Sequence, residues 1–456
     1  MSAAELGRAG ILALGFLMIL AGAEAWHRLR GPRVELTRKL VHLASGVPVL
    51  AFPWLFESPW TVALLSACIA GVLAIGGRTG MLGSVHGVER RSVGELLYPL
   101  AIVLLFALGH QQPVFYFTSV LVLILADPAA ALVGLSYGRT KYSVEDHWRS
   151  AEGSAVFFLT TFLAVHLPLL LMGGVDPPHA VLVALLVAMV VTLLEAVSLH
   201  GSDNLTIPLS AFILLDHLTA RPLAVVTGHV VALLGSLGFL WILSRRTGLL
   251  RLSGILTTTL FFYAIFVLAG PWWVIPPAIS AVAITVARRR LDPSKPMPDA
   301  EFQVVAIGYT AIPSLVIALA HYFAPAISSP AWPTEPTAFA AVYAGAVAGH
   351  LGIMCALLRH PFGPEWDRRL PPGKLLRSVV QSVVLLGPAA LWMTGALSLD
   401  SLWIAAAVAM VCAGAYWVVR SATRWPSEIP WNYRLQAACV TAVSLAGLLL
   451  LARTGA

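Results

Sequence analysis

The chain has 456 residues, of which 58% are hydrophobic and only 11% charged, and its mean hydropathy is +0.83. That is far below the ~25% charged residues of a water-soluble domain, so a soluble globular fold is excluded. The net charge of +7 is spread over short loops rather than gathered in one patch, which points to membrane topology and away from nucleic-acid binding.

In chain order, the first apolar segment is 10–26. It follows a single basic residue and lacks a good cleavage site, so it reads as a span and not as a signal peptide. Further spans are predicted at 40–56, 60–77, 95–109, 114–138, 153–172, 179–197, 205–216 and 223–243. Seven more follow at 253–270, 271–287, 302–324, 337–358, 377–396, 402–419 and 434–452. The expected fold is therefore an all-α polytopic transmembrane bundle of about 16 spans. The segment 205–216 is too short to cross ~30 Å as a helix, which predicts a broken helix. With the N-terminus outside, the cytoplasmic loops collect all the Lys and Arg residues except Arg8, Arg221 and Arg453, as the positive-inside rule requires. The four cysteines, Cys68, Cys355, Cys412 and Cys439, lie in apolar segments without a CxxC, and imply neither a disulfide frame nor a thiolate metal site. Loop composition changes near residue 245, so two domains are expected, 1–244 and 245–456.

Five polar stretches of the first half fall on the cytoplasmic side of this threading. Arg38-Lys39 opens the second span, with His42 one turn in and Gly46 beyond it. Arg90-Arg91 precede Glu95 at the mouth of the fourth span, followed by Tyr98-Pro99. Residues 126–154 read ADPAAALVGLSYGRTKYSVEDHWRSAEGS. Here Asp127 lies inside an otherwise apolar helix, at a cost of ~2.5–3.5 kcal/mol unless it is paired. Asp127, Ala131, Gly134 and Gly138 share one helix face, made of an acid and small residues that admit a close neighbour. The charged loop that follows holds Arg139, Lys141, Arg149, Glu152 and Gly153. Glu195 ends the seventh span, and the pair Asp203-Asn204 opens the short eighth.

Asp127, Glu152, Glu195 and Asp203 offer hard oxygen ligands, and Mg²⁺ uses one or two carboxylates together with nucleotide oxygens. Lys39, Arg91, Lys141 and Arg149 offer cations for phosphates. The combination suits phosphoryl or nucleotidyl transfer to a membrane lipid, where positioning and charge stabilisation dominate. No Walker A motif and no protein-kinase glycine loop is present.

RKLVHLASG, RRSVGELLYPLAI, ADPAAALVGLSYGRTKY, RSAEGS and EAVSLHGSDNLTIPL occur in the order and spacing of a known family. The chain resembles the CTP-dependent polyprenol kinases, the group of phytol kinase, dolichol kinase and CTP-dependent diacylglycerol kinase, over about residues 30–220. GELLYPL and DNLTIPL place it nearest the phytol and farnesol kinase branch. The resemblance implies transfer of the γ-phosphoryl group of CTP to an isoprenoid alcohol with Mg²⁺. Matching positions are Arg38, Lys39, His42, Glu95, Asp127, Gly134, Gly138, Glu152, Gly153, Glu195, Asp203 and Asn204. It implies Asp127, Glu195 and Asp203 as metal ligands, with Asp127 and Asp203 alternatively activating the alcohol. Arg38, Lys39, Gly134, Gly138, the Arg139–Arg149 loop with Lys141, Glu152, Gly153 and Asn204 would face the nucleotide, and His42 would accept a proton or orient a neighbour. Arg149 stands where the family often has lysine.

The second half faintly resembles the integral-membrane family of phytyl phosphate kinase through Gln303, Val304, Ala306 and Gly308. It departs from that family further on, where AVYAGAVAGHLG carries His350 and no acid. A non-catalytic bundle is expected there, with His350 as a packing or interfacial residue. Two other functions compete: a CDP-lipid synthase, which would need a charged C-terminal signature that is not found, and a lipid or solute transporter using Asp127 and Glu195. The expected setting is the cytoplasmic membrane, with the site facing inward toward nucleotide and lipid alcohol.

Overall fold

The computed structural model describes residues 2–31, 34–79, 81–86, 93–145, 147–247, 250–289, 303–326, 336–358, 370–394, 399–422 and 429–454. It separates into two compact units, Met1–Val230 and Val231–Ala456. The division falls inside one continuous helix, Leu223–Thr247, which also contains the boundary expected at 244/245.

The first unit begins with α1 (Ala3–Arg30), α2 (Val34–Val49), α3 (Phe52–Leu55), α4 (Pro59–Thr79), α5 (Gly83–His86) and α6 (Gly94–Gly109). It continues with α7 (Pro113–Tyr137), the strands β1 (Lys141–Val144) and β2 (His147–Ser150), α8 (Ala151–Leu171), α9 (Pro177–Val197) and α10 (Asp203–Thr219), and ends within α11 (Leu223–Thr247). Local chemistry sets these ends. Ser2 and Glu5 form a capping box at α1, and the Glu5 carboxylate also accepts from the backbone of Glu57 at 2.8 Å and Ser58 at 3.1 Å. Proline opens α7 and α9, where its missing N–H costs nothing. The core of this unit gathers Phe52, Val62, Leu105, Phe106, Tyr116 and Ile124 from α3, α4, α6 and α7.

The second unit contains the rest of α11, then α12 (Leu252–Ala269), a 3-10 turn (Pro271–Val274), α13 (Ile275–Arg289), α14 (Gln303–Phe323) and α15 (Pro336–Leu358). It ends with α16 (Pro372–Thr394), α17 (Leu399–Ala422) and α18 (Ile429–Thr454). α15 is buried along almost its whole length. Its small residues explain how: a Cβ added at Gly349 would lie 3.0 Å from the Cys412 Cβ of α17, and one at Gly352 would lie 2.6 Å from the Val379 side chain of α16. His350, expected as a packing or interfacial residue, is enclosed in this packing with Gln436 of α18 beside it.

Among the described residues, fourteen of the sixteen predicted segments each lie on a single α-helix, while 40–56 runs over α2 and α3 and 271–287 over the 3-10 turn and α13. Twelve of the described helices are long and apolar enough to cross a membrane, which makes the chain a multi-pass membrane protein. The segments Val34–Val49, Gly94–Gly109, Asp203–Thr219 and Pro271–Ala287 are shorter. α10 is longer than the twelve residues expected, because Asp203 lies in its first turn and the helix runs on to Thr219. Gly270, at φ 93°, and Pro271 separate the two adjacent segments after 252. The all-α expectation needs one correction among the described residues: the charged loop after α7 is an antiparallel hairpin, with Tyr142 opposite Arg149 and Ser143 opposite Trp148. Its strands have four residues each, too short for an alternating pattern to stand out, and its turn uses Glu145 in the left-handed region at φ 50°.

Candidate active site

The charged residues of the first unit meet where α2, α7, α9, α10 and the hairpin come together. α2 carries Arg38 and Lys39, with His42 one turn further on. The Lys39 ammonium lies 2.5 Å from both carboxylate oxygens of Asp127, and the two side chains are only 8% and 16% exposed. This answers the question posed by an acid inside an apolar helix: Asp127 is paired with a cation. Gly46 makes the approach possible, since a Cβ there would lie 3.0 Å from the Ile124 Cβ and closer still to its methyl group. Breaking such an enclosed pair by removing one partner costs ~3–5 kcal/mol.

Glu35 belongs to the same group and was not singled out in the sequence. It accepts from Arg38 at 2.7 and 3.1 Å and lies 4.0 Å from Lys39. The signal was present, because i,i+3 and i,i+4 spacing puts Glu35 on the face of Arg38 and Lys39.

Asp203 stands at the start of α10, where one oxygen accepts from the Asn204 N–H at 3.2 Å. It is within electrostatic reach of Asp127, Lys39, Arg149 and Arg38. The turn that delivers it uses two left-handed residues, His200 at φ 55° and Gly201 at φ 85°. That turn is fastened to the start of α6: Val93 donates to the His200 carbonyl at 3.0 Å, and the Asn204 amide donates to the Gly94 carbonyl at 3.0 Å. Glu95 follows in the first turn of α6, while Arg90 and Arg91 lie outside the described residues.

The hairpin is held from two sides. On one, Arg149 pairs with Glu195 at the end of α9 and donates to the Ser198 carbonyl at 3.1 Å and hydroxyl at 2.9 Å. On the other, the Glu152 carboxylate accepts from the Thr140 N–H at 3.0 Å, and the Tyr142 and Ser154 hydroxyls are 2.8 Å apart. Gly134, Gly138 and Gly153 serve the same junction. A Cβ on Gly153 would lie 3.1 Å from the Ala130 carbonyl, and one on Gly138 would lie 2.8 Å from the Ser150 Cβ. The Gly153 N–H donates to Ser150, the N-cap of α8. Arg139 and Lys141 remain exposed at the root of the hairpin.

The structure thus gathers Arg38, Lys39, Asp127, Asp203 and Arg149, with His42 in reach of Asp127 and Glu195 attached through Arg149. Gly134, Gly138, Glu152, Gly153 and Asn204 fasten the surrounding elements. Among the described residues, no three of His, Cys, Asp and Glu gather at metal-ligand spacing. Two carboxylates in mutual reach, Asp127 and Asp203, suit a Mg²⁺ ion that takes its remaining oxygens from phosphates and water.

Fold and site define a multi-pass membrane protein in which cations and carboxylates converge at one end of an apolar bundle. A phytol kinase of Synechocystis sp. is 35% identical to this chain over 206 residues, covering 87% of that protein and 44% of this one. The chain belongs to the phytol kinase family. No family model matches it, and no solved structure does.

Proposed function

We propose that the first unit is an isoprenoid-alcohol kinase that moves the γ-phosphoryl group of CTP to the hydroxyl of a lipid such as phytol or geranylgeraniol. The observation that carries this reading is the enclosed Lys39–Asp127 pair, with Arg38 and Asp203 within electrostatic reach of Asp127 and Arg149 within reach of Asp203, in a member of the phytol kinase family. Phosphoryl transfer asks a protein for alignment and for charge at the phosphates rather than for covalent chemistry. Arg38, Lys39 and Arg149 supply fixed positive charge, and Arg139 and Lys141 are free of the enclosed core to reach the distal end of a triphosphate. Asp127 and Asp203 are the residues that would hold Mg²⁺, which when bound neutralises phosphate charge. His42 takes the proton of the alcohol. With the N-terminus outside, the site opens to the cytoplasm, where nucleotides are, and the surrounding apolar helices keep the lipid chain in the cell membrane.

The test is protein purified in lipid nanodiscs, given γ-labelled CTP or ATP and a panel of phytol, geranylgeraniol, a dolichol-like polyprenol and diacylglycerol. Label is expected in the isoprenoid alcohols, and from CTP in preference to ATP. Label entering lipid from α-labelled CTP would instead establish a CDP-lipid synthase, and label in no lipid at all would remove the kinase reading.

A further inference from the structure

His42 is held between two fixed neighbours. Its Nε2 lies 3.3 Å from the Leu123 carbonyl oxygen, one turn before Asp127 on α7, and its ring meets the Tyr98 ring edge to face with centroids 4.7 Å apart. A carbonyl oxygen can only accept, so this contact requires the imidazole proton on Nε2. In the neutral ring the lone pair is then on Nδ1. Among the described residues no hydrogen bond is made to Nδ1. The ring is also within electrostatic reach of Asp127, Lys39 and Arg38, the groups that would surround the reacting phosphate.

Tyr98 comes from the GELLYPL stretch of α6 and His42 from the RKLVHLASG stretch of α2, so two separate motifs meet in this one contact. Gly46 lets them meet. A Cβ there would intrude on Ile124 and come within 3.2 Å of the Tyr98 hydroxyl, forcing α2 away from both neighbours.

We propose that Tyr98 is a positioning residue: with the Leu123 carbonyl it fixes His42 as the Nε2–H tautomer, leaving Nδ1 as the base that receives the alcohol proton. This rests on the kinase reading above. In the step itself the alcohol O–H bond breaks and its proton passes to Nδ1. The alcohol oxygen bonds to the γ-phosphorus while the bridging P–O bond to the β-phosphate breaks. The nucleoside diphosphate leaves with that electron pair, and the imidazolium later returns its proton to water.

The experiment uses the full chain in nanodiscs with γ-labelled CTP and phytol. His42→Ala is expected to lower kcat by about 10²–10⁴-fold, the range of a general base, and added imidazole to restore part of it. Tyr98→Leu is expected to lower kcat by about tenfold or more with KM for CTP held within about threefold, a split that a loss of folded protein would not produce. Tyr98→Phe keeps the ring and is expected to recover most of that loss. Because variants can fail to fold, the tautomer is also read on the wild-type protein, by ¹⁵N-histidine solid-state NMR with His42→Gln identifying the resonance. An Nδ1–H tautomer overturns the proposal, as does Tyr98→Phe as slow as Tyr98→Leu, or an active wild type with His42→Ala unimpaired. A wild type that moves no label sinks the kinase reading and takes this proposal with it.

Discussion

In the first unit an enclosed polar contact joins two opposite full charges, Lys39 and Asp127, which are 88 residues apart in the sequence. In the second unit the buried polar side chains include an imidazole and an amide, His350 and Gln436, and Arg420 donates to Tyr416 and Asn432 toward the end of α17. The helices of the second unit instead lock together through small residues, Gly345, Gly349 and Gly352 against α16 and α17. An enclosed ion pair contributes little to stability compared with well-packed apolar side chains of the same volume. The second unit shows that this sequence builds tight helix packing from small residues. The charges of the first unit are therefore better explained by what they do than by what they hold together.

The largest effect that tests this contrast comes from the pair itself. Asp127→Asn or Lys39→Met alone is expected to abolish γ-label transfer and to destabilise the first unit by ~3–5 kcal/mol, because each leaves an unmatched charge in an apolar setting. The double change Lys39→Met with Asp127→Leu separates the two roles. It is expected to regain most of the stability in a thermal unfolding measurement while transfer stays absent. Transfer that returned with stability would make the pair structural after all.

Arg149 comes next. It closes the hairpin onto α9 through Glu195 and Ser198, with several donors fixed in one plane. Arg149→Met is expected to raise KM for CTP by about tenfold or more, and Arg149→Lys to restore part of this, since a lysine reaches Glu195 as a point charge but does not span both partners. An unchanged KM for CTP in Arg149→Met would confine this residue to fastening the hairpin.

These residues also mark how far the sequence could be read. The helices were legible because apolar runs of bilayer length leave few alternatives, and the loop charges set the alternation. Asp127 was legible because an acid inside such a run demands a partner. Which cation answered it was not legible, because Lys39 reaches it only through the close approach of α2 to α7 at Gly46. The glycines of the Asp127 stretch were read as room for a close neighbour, whether backbone, metal or phosphate, and in the structure Gly134 and Gly153 face each other across the α7–α8 junction. A stripe of small residues reports only that something comes close, and in a bundle that something is often another helix. Glu152 was read as a possible ligand by its type, whereas its contact is with the backbone of Thr140. Tyr98 was quoted in its motif but assigned nothing, since an aromatic in an apolar helix carries no sign of which ring it will meet.

A paired substitution sharpens the comparison between the junctions of the two units. Gly153→Val and Gly349→Val each insert a side chain where backbone or Cβ atoms of a neighbouring helix lie about 3 Å away, so both are expected to cost ~1–3 kcal/mol through overpacking. Only Gly153→Val is expected to lower kcat in the protein that remains folded, because the α7–α8 junction carries Asp127 on one side and the hairpin on the other. Equal loss of kcat in both would mean that transfer depends on general bundle integrity and not on this junction.

The smallest effect is expected at His350 and Gln436. Their polar atoms face one another inside the bundle: Nε2 of His350 and both amide atoms of Gln436 lack hydrogen bonds of ordinary geometry. Removing one partner alone, as in Gln436→Leu, leaves the other enclosed and is expected to destabilise by ~1–3 kcal/mol. Replacing both, as His350→Leu with Gln436→Leu, removes the desolvation cost together with the weak contact, so unfolding should shift by less than ~1 kcal/mol and transfer should be unchanged. A non-additive recovery of this kind, measured as a double-mutant cycle, is the signature of two groups that matter only to each other. Lost transfer in the folded double variant would tie this neutral site to the chemistry of the charged one, and the separation between the two units would fail at the point where it is most sharply drawn.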